Sequence, residues 1–129
     1  MKSTRGKVLV IDDDDLIRQT IKVSLDYADF EAAAPDDPSQ AHELALALKP
    51  DAVLLDLYMP GIDGLEILRA LKADERTQKI PVIIFTGSGE VKDVMAGISA
   101  GAFDYIVKPV DPKALIDKIC KALKIKSHP

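Results

Sequence analysis

The chain has 129 residues, 47% of them apolar, and a formal net charge of -4. That length suits one domain with a real core, and the acidic balance argues against non-specific binding to nucleic acid or to an anionic membrane. A lone cysteine, Cys120, excludes an intramolecular disulfide, and neither a signal peptide nor the roughly 20 apolar residues of a membrane span can be read, so a cytoplasmic domain is expected.

A β-rich run at Lys7–Ile11 comes first, followed by four aspartates, Asp12 to Asp15. Helical spacing then links Ile17, Thr20, Ile21, Ser24 and Leu25. The segment Phe30–Ala34 is predicted as the second strand, although helix propensity alone would make "FEAAA" helical. Ser39 is the expected N-cap of a second stripe, Ala41, Leu44, Ala45 and Leu48. The third strand is predicted at Ala52–Leu55, with its helix on Gly64, Ile67, Leu68 and Leu71. The fourth strand, Pro81–Phe85, precedes a stripe of Val91, Val94, Met95 and Ile98 that stops at Gly101. The fifth, Phe103–Val107, precedes Leu115, Ile119, Ala122 and Leu123. Five strand–helix units imply an α/β fold with a parallel sheet covered on both faces, and continuous runs such as "VLVI" and "VIIF" fit strands buried on both sides.

All C-terminal strand ends of a parallel sheet lie on one edge. Asp12 and Asp13 follow the first strand, Asp56 the third, Thr86 the fourth and Lys108 the fifth, so these scattered residues are expected to converge. Ligands of open α/β sheets bind outside those ends, where strand order reverses. With a doubly wound, flavodoxin-like order of 2-1-3-4-5, Asp12, Asp13 and Asp56 flank that crevice. Three neighbouring carboxylates repel one another, and a hard divalent cation relieves the repulsion. Oxygen donors without His or Cys suit Mg2+, with Mn2+ an acceptable substitute. Lys108 adds a positive charge and Thr86 a hydroxyl donor, a set that matches the oxygens of a phosphoryl group. Asp56 is the natural acceptor, because a carboxylate needs no base to act as a nucleophile.

Each residue also has a plainer reading. An acidic run often only begins a helix, and Asp14 and Asp15 are assigned that role. Lys108 alone would be an ordinary surface lysine, and Thr86 alone a cap or turn residue. His42 and His128 lack metal-ligand spacing and are read as solvent-facing, and Cys120 as packing on the last helix.

From "KVLVIDDDD" through "LLDLYMPGIDG" and "IIFTGSG" to "GAFDYIVKP", the chain resembles a response-regulator receiver domain over nearly its whole length. The resemblance implies a single receiver domain over residues 1–129, with its core at about 6–124. Asp56 then matches the phosphoacceptor, Asp13 a direct Mg2+ ligand, Asp12 a ligand acting partly through water, and the backbone carbonyl of Tyr58 a further ligand. Thr86 and Lys108 match the switch hydroxyl and the phosphate-binding lysine, and Tyr105 the switch aromatic. The Lys108–Pro109 bond is expected to be cis. The implied donor is a sensor histidine kinase or a histidine phosphotransfer protein, and the output is a downstream protein target contacted through the fourth helix, fifth strand and fifth helix. A homodimer through that face is compatible with the resemblance. Direct contact with nucleic acid or membrane is not implied, nor is turnover of an external metabolite.

Tyr58 and Ser88, two residues after Asp56 and Thr86, flank the expected site entrance, and a long-lived phosphorylated state is anticipated from them. A haloacid-dehalogenase-like phosphatase would use a similar residue set, but it needs a second aspartate where Tyr58 stands. A flavodoxin-like electron carrier finds support only in "TGSG". A degenerate receiver that only binds partners would not need the intact acidic pair, acceptor, threonine and lysine.

Overall fold

Residues 4–109 and 111–126 are described by a computed structural model. The β-rich runs form five strands: β1 (Lys7–Ile11), β2 (Glu31–Ala33), β3 (Ala52–Leu55), β4 (Val82–Thr86) and β5 (Asp104–Val107). The helices are α1 (Asp15–Tyr27), α2 (Ala41–Leu48), α3 (Gly64–Ala73), α4 (Val91–Ser99) and α5 (Pro112–Leu123). The sheet is parallel throughout, in the order β2-β1-β3-β4-β5. The expected doubly wound, flavodoxin-like arrangement is therefore the one observed.

Alternation along the strands feeds two cores. Leu9, Ile11, Val53, Leu55, Val82 and Ile84 face one side, where Ala41 and Ala45 of α2 and Leu68 and Leu71 of α3 cover them. Val8, Val10, Leu54, Ile83, Phe85 and Ile106 face the other, against Ile21 and Leu25 of α1 and Leu115, Ile119 and Cys120 of α5. A side chain on a pleated strand needs a partner on its own face, and β1, β3 and β4 find partners on both. Cys120 is buried, as expected for a small packing residue.

Several local expectations need correction. Ser39 does not cap α2. The Asp37 carboxylate accepts from the Ser39 backbone N–H at 3.0 Å and from its hydroxyl at 2.6 Å, starting a short 3-10 turn at Pro38–Gln40 instead. An ionised acceptor two residues earlier outcompetes a hydroxyl. The stripe on α4 is not core. Val91, Met95 and Ile98 are exposed, and Gly97 is the buried residue. The close approach there needs a glycine, since a Cβ would lie 2.5 Å from Ile84 Cδ1. His42 lies on α2 as expected but is half-buried, its Nε2 2.9 Å from Asp74 Oδ2. His128 lies outside the described residues.

One small element carries no periodic signal. Tyr58–Met59 and Ile62–Asp63 pair as an antiparallel ribbon. Pro60 and Gly61 form its turn, and Gly61 has φ +72, as the third position of a type II turn requires. Asp63 then caps α3 by accepting from Leu65 N at 3.0 Å. This compact link leads the chain from the end of β3 into α3 beside the site.

Candidate functional site at the C-terminal sheet edge

Asp12 sits in the turn after β1 with its carboxylate fully buried (0% exposed). Its Oδ1 accepts from Asp14 N at 2.9 Å. Asp14 in turn caps α1, accepting from Leu16 N at 2.9 Å and Ile17 N at 3.2 Å, and Asp15 lies in the first helical turn. The quartet thus divides as expected. Asp14 and Asp15 start the helix, whereas Asp12 and Asp13 stand beside Asp56.

Asp56 follows β3 and is held from two sides. Its backbone N–H donates to Ile11 O at 2.9 Å, and its Oδ1 accepts from Tyr58 N at 3.2 Å. Asp12, Asp13 and Asp56 each offer a carboxylate oxygen within 4.8 Å of the others. Lys108, after β5, closes the group: its Nζ donates to Asp12 Oδ2 at 2.8 Å and to Asp56 Oδ2 at 3.1 Å. The Lys108–Pro109 peptide bond is cis. Thr86, at the end of β4, is fully buried, and its hydroxyl lacks a hydrogen-bond partner among the described residues. A cleft of about 580 Å³ opens over this group, lined by Asp56, Tyr58, Thr86, Ser88 and Lys108 together with Gly87, Gly89 and Glu90.

Two charged groups respond to this crowding. Burial raises the Asp12 pKa above the ordinary value, and the Asp56 charge adds to the effect, while Lys108 and the Asp14 N–H oppose it. Burial works against the Lys108 ammonium, yet the hydrogen bond and charge of Asp12, with Asp56 adding, outweigh it and raise its pKa. One ammonium is shared between two buried carboxylates, and the third carboxylate, Asp13, stays exposed.

The donor set fits a hard divalent cation. Its side chains offer carboxylate oxygens only, with Asp13 open to solvent, as suits an ion that keeps several waters. The unpartnered Thr86 hydroxyl lines the same cleft, so a ligand with further acceptor oxygens has a waiting donor.

A smaller pocket of about 450 Å³ lies between α1 and α5, but it is lined mostly by apolar residues such as Leu16, Ile17 and Leu115 and lacks this polar convergence.

A family model described as the response regulator receiver domain matches residues 8–120. The chain belongs to the response regulator receiver domain family. The receiver is 39% identical over 117 residues to the phosphate regulon transcriptional regulatory protein PhoB of Pseudomonas aeruginosa, covering 91% of this chain and 51% of that protein. It thus spans about half the length of the curated relatives it matches. Among solved structures, a response regulator receiver domain protein from Clostridium thermocellum superposes with a TM-score of 0.84 at 32% identity, over 92% of this chain and 94% of that one. Chemotaxis protein CheY4 of Vibrio cholerae gives 0.86 at 26% identity, over 94% and 100%. Phosphorylation and Mg2+ binding in an acidic pocket are properties of this family of two-component signalling domains. Among the described residues, no helix of the receiver is long and apolar enough to cross a membrane.

Three contributors to the receiver's site carry little sequence signal. Arg18, one turn into α1, is buried, donating to Asp12 O at 2.8 Å and to Asp15 Oδ1 at 3.1 Å. It braces the acidic turn from behind. Gly64 begins α3 against the backbone of the Asp56 turn, where a Cβ would meet Asp56 O and Leu57 Cα at 2.5 Å each. Asp93, in the first turn of α4, accepts from the Ser88 hydroxyl. Arg18 shares the helical face of Ile21 and Leu25, which hinted at burial, and "GIDG" hinted at a close approach. Asp93 had no such hint.

Proposed function

We propose that Asp56 is the phosphoacceptor of this receiver, working with Mg2+, or Mn2+ in its place, held by Asp12, Asp13, Asp56 and the backbone carbonyl of Tyr58. The observation that carries this reading is the bridge from Lys108 Nζ to Asp12 and Asp56, set under an open cleft beside the unpartnered Thr86 hydroxyl.

An Asp56 carboxylate oxygen attacks the phosphorus of a phosphohistidine on a sensor histidine kinase or a histidine phosphotransfer protein. The new P–O bond forms as the P–N bond breaks, and that bond's electron pair leaves with the imidazole. When bound, the cation offsets the combined charge of carboxylate and phosphoryl oxygens. Lys108 supplies the second positive charge by turning its N–H groups from Asp56 toward a phosphoryl oxygen. Asp12 keeps its contact to Lys108 and so steers the ammonium. The Asp56 backbone, pinned by Ile11 and Gly64, limits motion of the nucleophile. Positioning and electrostatics of this kind carry most of phosphoryl transfer.

The Thr86 hydroxyl donates to the new phosphoryl group, giving a buried donor the acceptor it lacks. Tyr105 reports this movement. Its ring packs by Gly97, and its hydroxyl donates to Ser88 O at 2.7 Å, on the loop that follows Thr86. Drawing Thr86 toward Asp56 favours this inward placement of Tyr105 and reshapes the face formed by α4, β5 and α5, which meets the downstream protein. The exposed apolar residues Val91, Met95, Ile98, Phe103 and Val107 lie on that face and would be covered in a homodimer or a target complex.

The test is incubation with acetyl phosphate and Mg2+, read by intact mass. A gain of one phosphoryl group that disappears in Asp56→Ala and with a chelator is expected. No gain in the wild type, or an undiminished gain in Asp56→Ala, overturns the assignment.

A further inference from the structure

We propose that Phe85 is a positioning residue for Lys108: the face of its ring holds the ammonium at the Asp56 crevice, where it can meet an arriving phosphoryl oxygen. The proposal rests on the reading of Asp56 as the acceptor.

The sheet brings the two residues together. Phe85 is the last apolar residue of β4, directly before Thr86, and it pairs with Ile106 of β5. Both belong to the core that α1 and α5 cover. Side chains alternate along a strand, so Lys108, two residues after Ile106, sets out from that same face. Its backbone N–H donates to Thr86 O at 2.8 Å, which fixes where the side chain begins. From there the side chain carries its ammonium to Asp12 Oδ2 and Asp56 Oδ2. In that position Nζ lies over the Phe85 ring, 5.1 Å from its centroid. The negative face of an aromatic ring attracts a cation within about 6 Å.

The ring supplies a hold that the carboxylates cannot keep. Lys108 must give up its Asp56 contact as a phosphoryl oxygen arrives, whereas the pull of the ring is the same before and after that exchange. A lysine ammonium sits on a long flexible stem. Lys108 lines both the cleft over Asp56 and the apolar pocket between α1 and α5. An ammonium released from Asp56 therefore has a second way to turn. The Phe85 ring, fully buried in the core, keeps it on the crevice side.

Phe85 also has a plainer role as core packing, and that role needs no cation. Packing depends on the shape of the ring and not on the charge of its face. Fluorine separates the two, because each added fluorine drains negative charge from the face while the shape hardly changes.

The experiment incubates the wild type, Phe85→Leu, and chains carrying mono-, di- or trifluorinated phenylalanine at position 85 with acetyl phosphate and Mg2+. Uptake is followed by intact mass. An Asp56 oxygen bonds to phosphorus as the bond to the acetate oxygen breaks, and that bond's electron pair leaves with acetate. The rate should fall with each added fluorine, to about three- to tenfold below wild type, the scale of a partly desolvated cation–π contact. Phe85→Leu should be at least as slow. Urea titrations in chelator give a readout that needs no phosphorylation. There Phe85→Leu should raise the unfolding equilibrium constant about three- to tenfold more with Lys108 present than in the Lys108→Met background. Should Phe85→Leu fail to fold, the fluorinated chains keep the ring's shape and carry the test alone. A rate that does not follow the number of fluorines, or an equal effect of Phe85→Leu in the two backgrounds, overturns the proposal while Asp56 stands as acceptor. A wild-type chain that takes up no phosphoryl group overturns both.

Discussion

Replacing Lys108 with methionine tests the central electrostatic claim. The substitution keeps an unbranched apolar stem but removes the ammonium shared by Asp12 and Asp56. Those carboxylates are 0% and 4% exposed and would face each other without their countercharge. Removing one partner of a buried ion pair costs roughly 3–5 kcal/mol. The Lys108 side chain keeps 20% of its exposure, so water already shares the load and the lower end applies. A loss of about 3 kcal/mol corresponds to a fall of about 12 °C in melting temperature for a domain of this size. Thermal melts at neutral pH in chelator should show that fall. Added Mg2+ should raise the variant's melting temperature more than the wild type's, because the cation takes over the missing charge. A variant melting within about 2 °C of wild type in chelator, a difference below roughly 0.5 kcal/mol, would refute the claim that Lys108 neutralises the pair.

Thr86→Val should leave the unphosphorylated receiver as stable or more stable by about 1 kcal/mol in urea titrations, since it removes a buried hydroxyl with no partner among the described residues. The same variant should lose the structural response to beryllofluoride, read by amide spectra of α4 and β5. Gly64→Ala should cost about 1–3 kcal/mol in the same titration, because the new methyl group meets backbone that cannot yield. Arg76, through its guanidinium and backbone N–H, together with His42, holds the Asp74 carboxyl well below the usual carboxylate range. A depressed folded-state pKa gives stability that is present above the unfolded value of about 3.9 and is lost as pH falls through the folded one. Asp74→Asn should therefore lower the urea midpoint relative to wild type at neutral pH, and the gap should narrow as the pH drops below about 4.

The sheet was readable from its runs because parallel strands buried on two faces must be continuously apolar, as β1 and β4 are. The edge strand β2 was harder. Three short residues, Glu31–Ala33, carry no strand preference, and only their pairing with Lys7–Leu9 makes them a strand. The convergence of Asp12, Asp13, Asp56, Thr86 and Lys108 followed from topology, since strand ends share an edge whatever their separation along the chain. Contacts reaching inward from helices did not follow. Arg18 shares the helical face of Ile21 and Leu25, but spacing does not tell that it donates to Asp12 O. The stripe on α4 obeyed helical periodicity yet faces solvent, because spacing reports a shared face and not what covers it. Ser39 lost its expected cap to Asp37 through a competition between neighbours that spacing rules do not rank.

The bridge from Lys108 to Asp12 joins residues 96 positions apart, and the one to Asp56 spans 52. A nascent polypeptide still lacking its last strand has the carboxylates but not the ammonium that, in the proposed function, lets a phosphate approach them. On that reading, competence to receive a signal arrives only with completion of the entire sheet. Half-made or misassembled copies would then stay deaf to the donor, and this safeguard would need no separate inhibitory part.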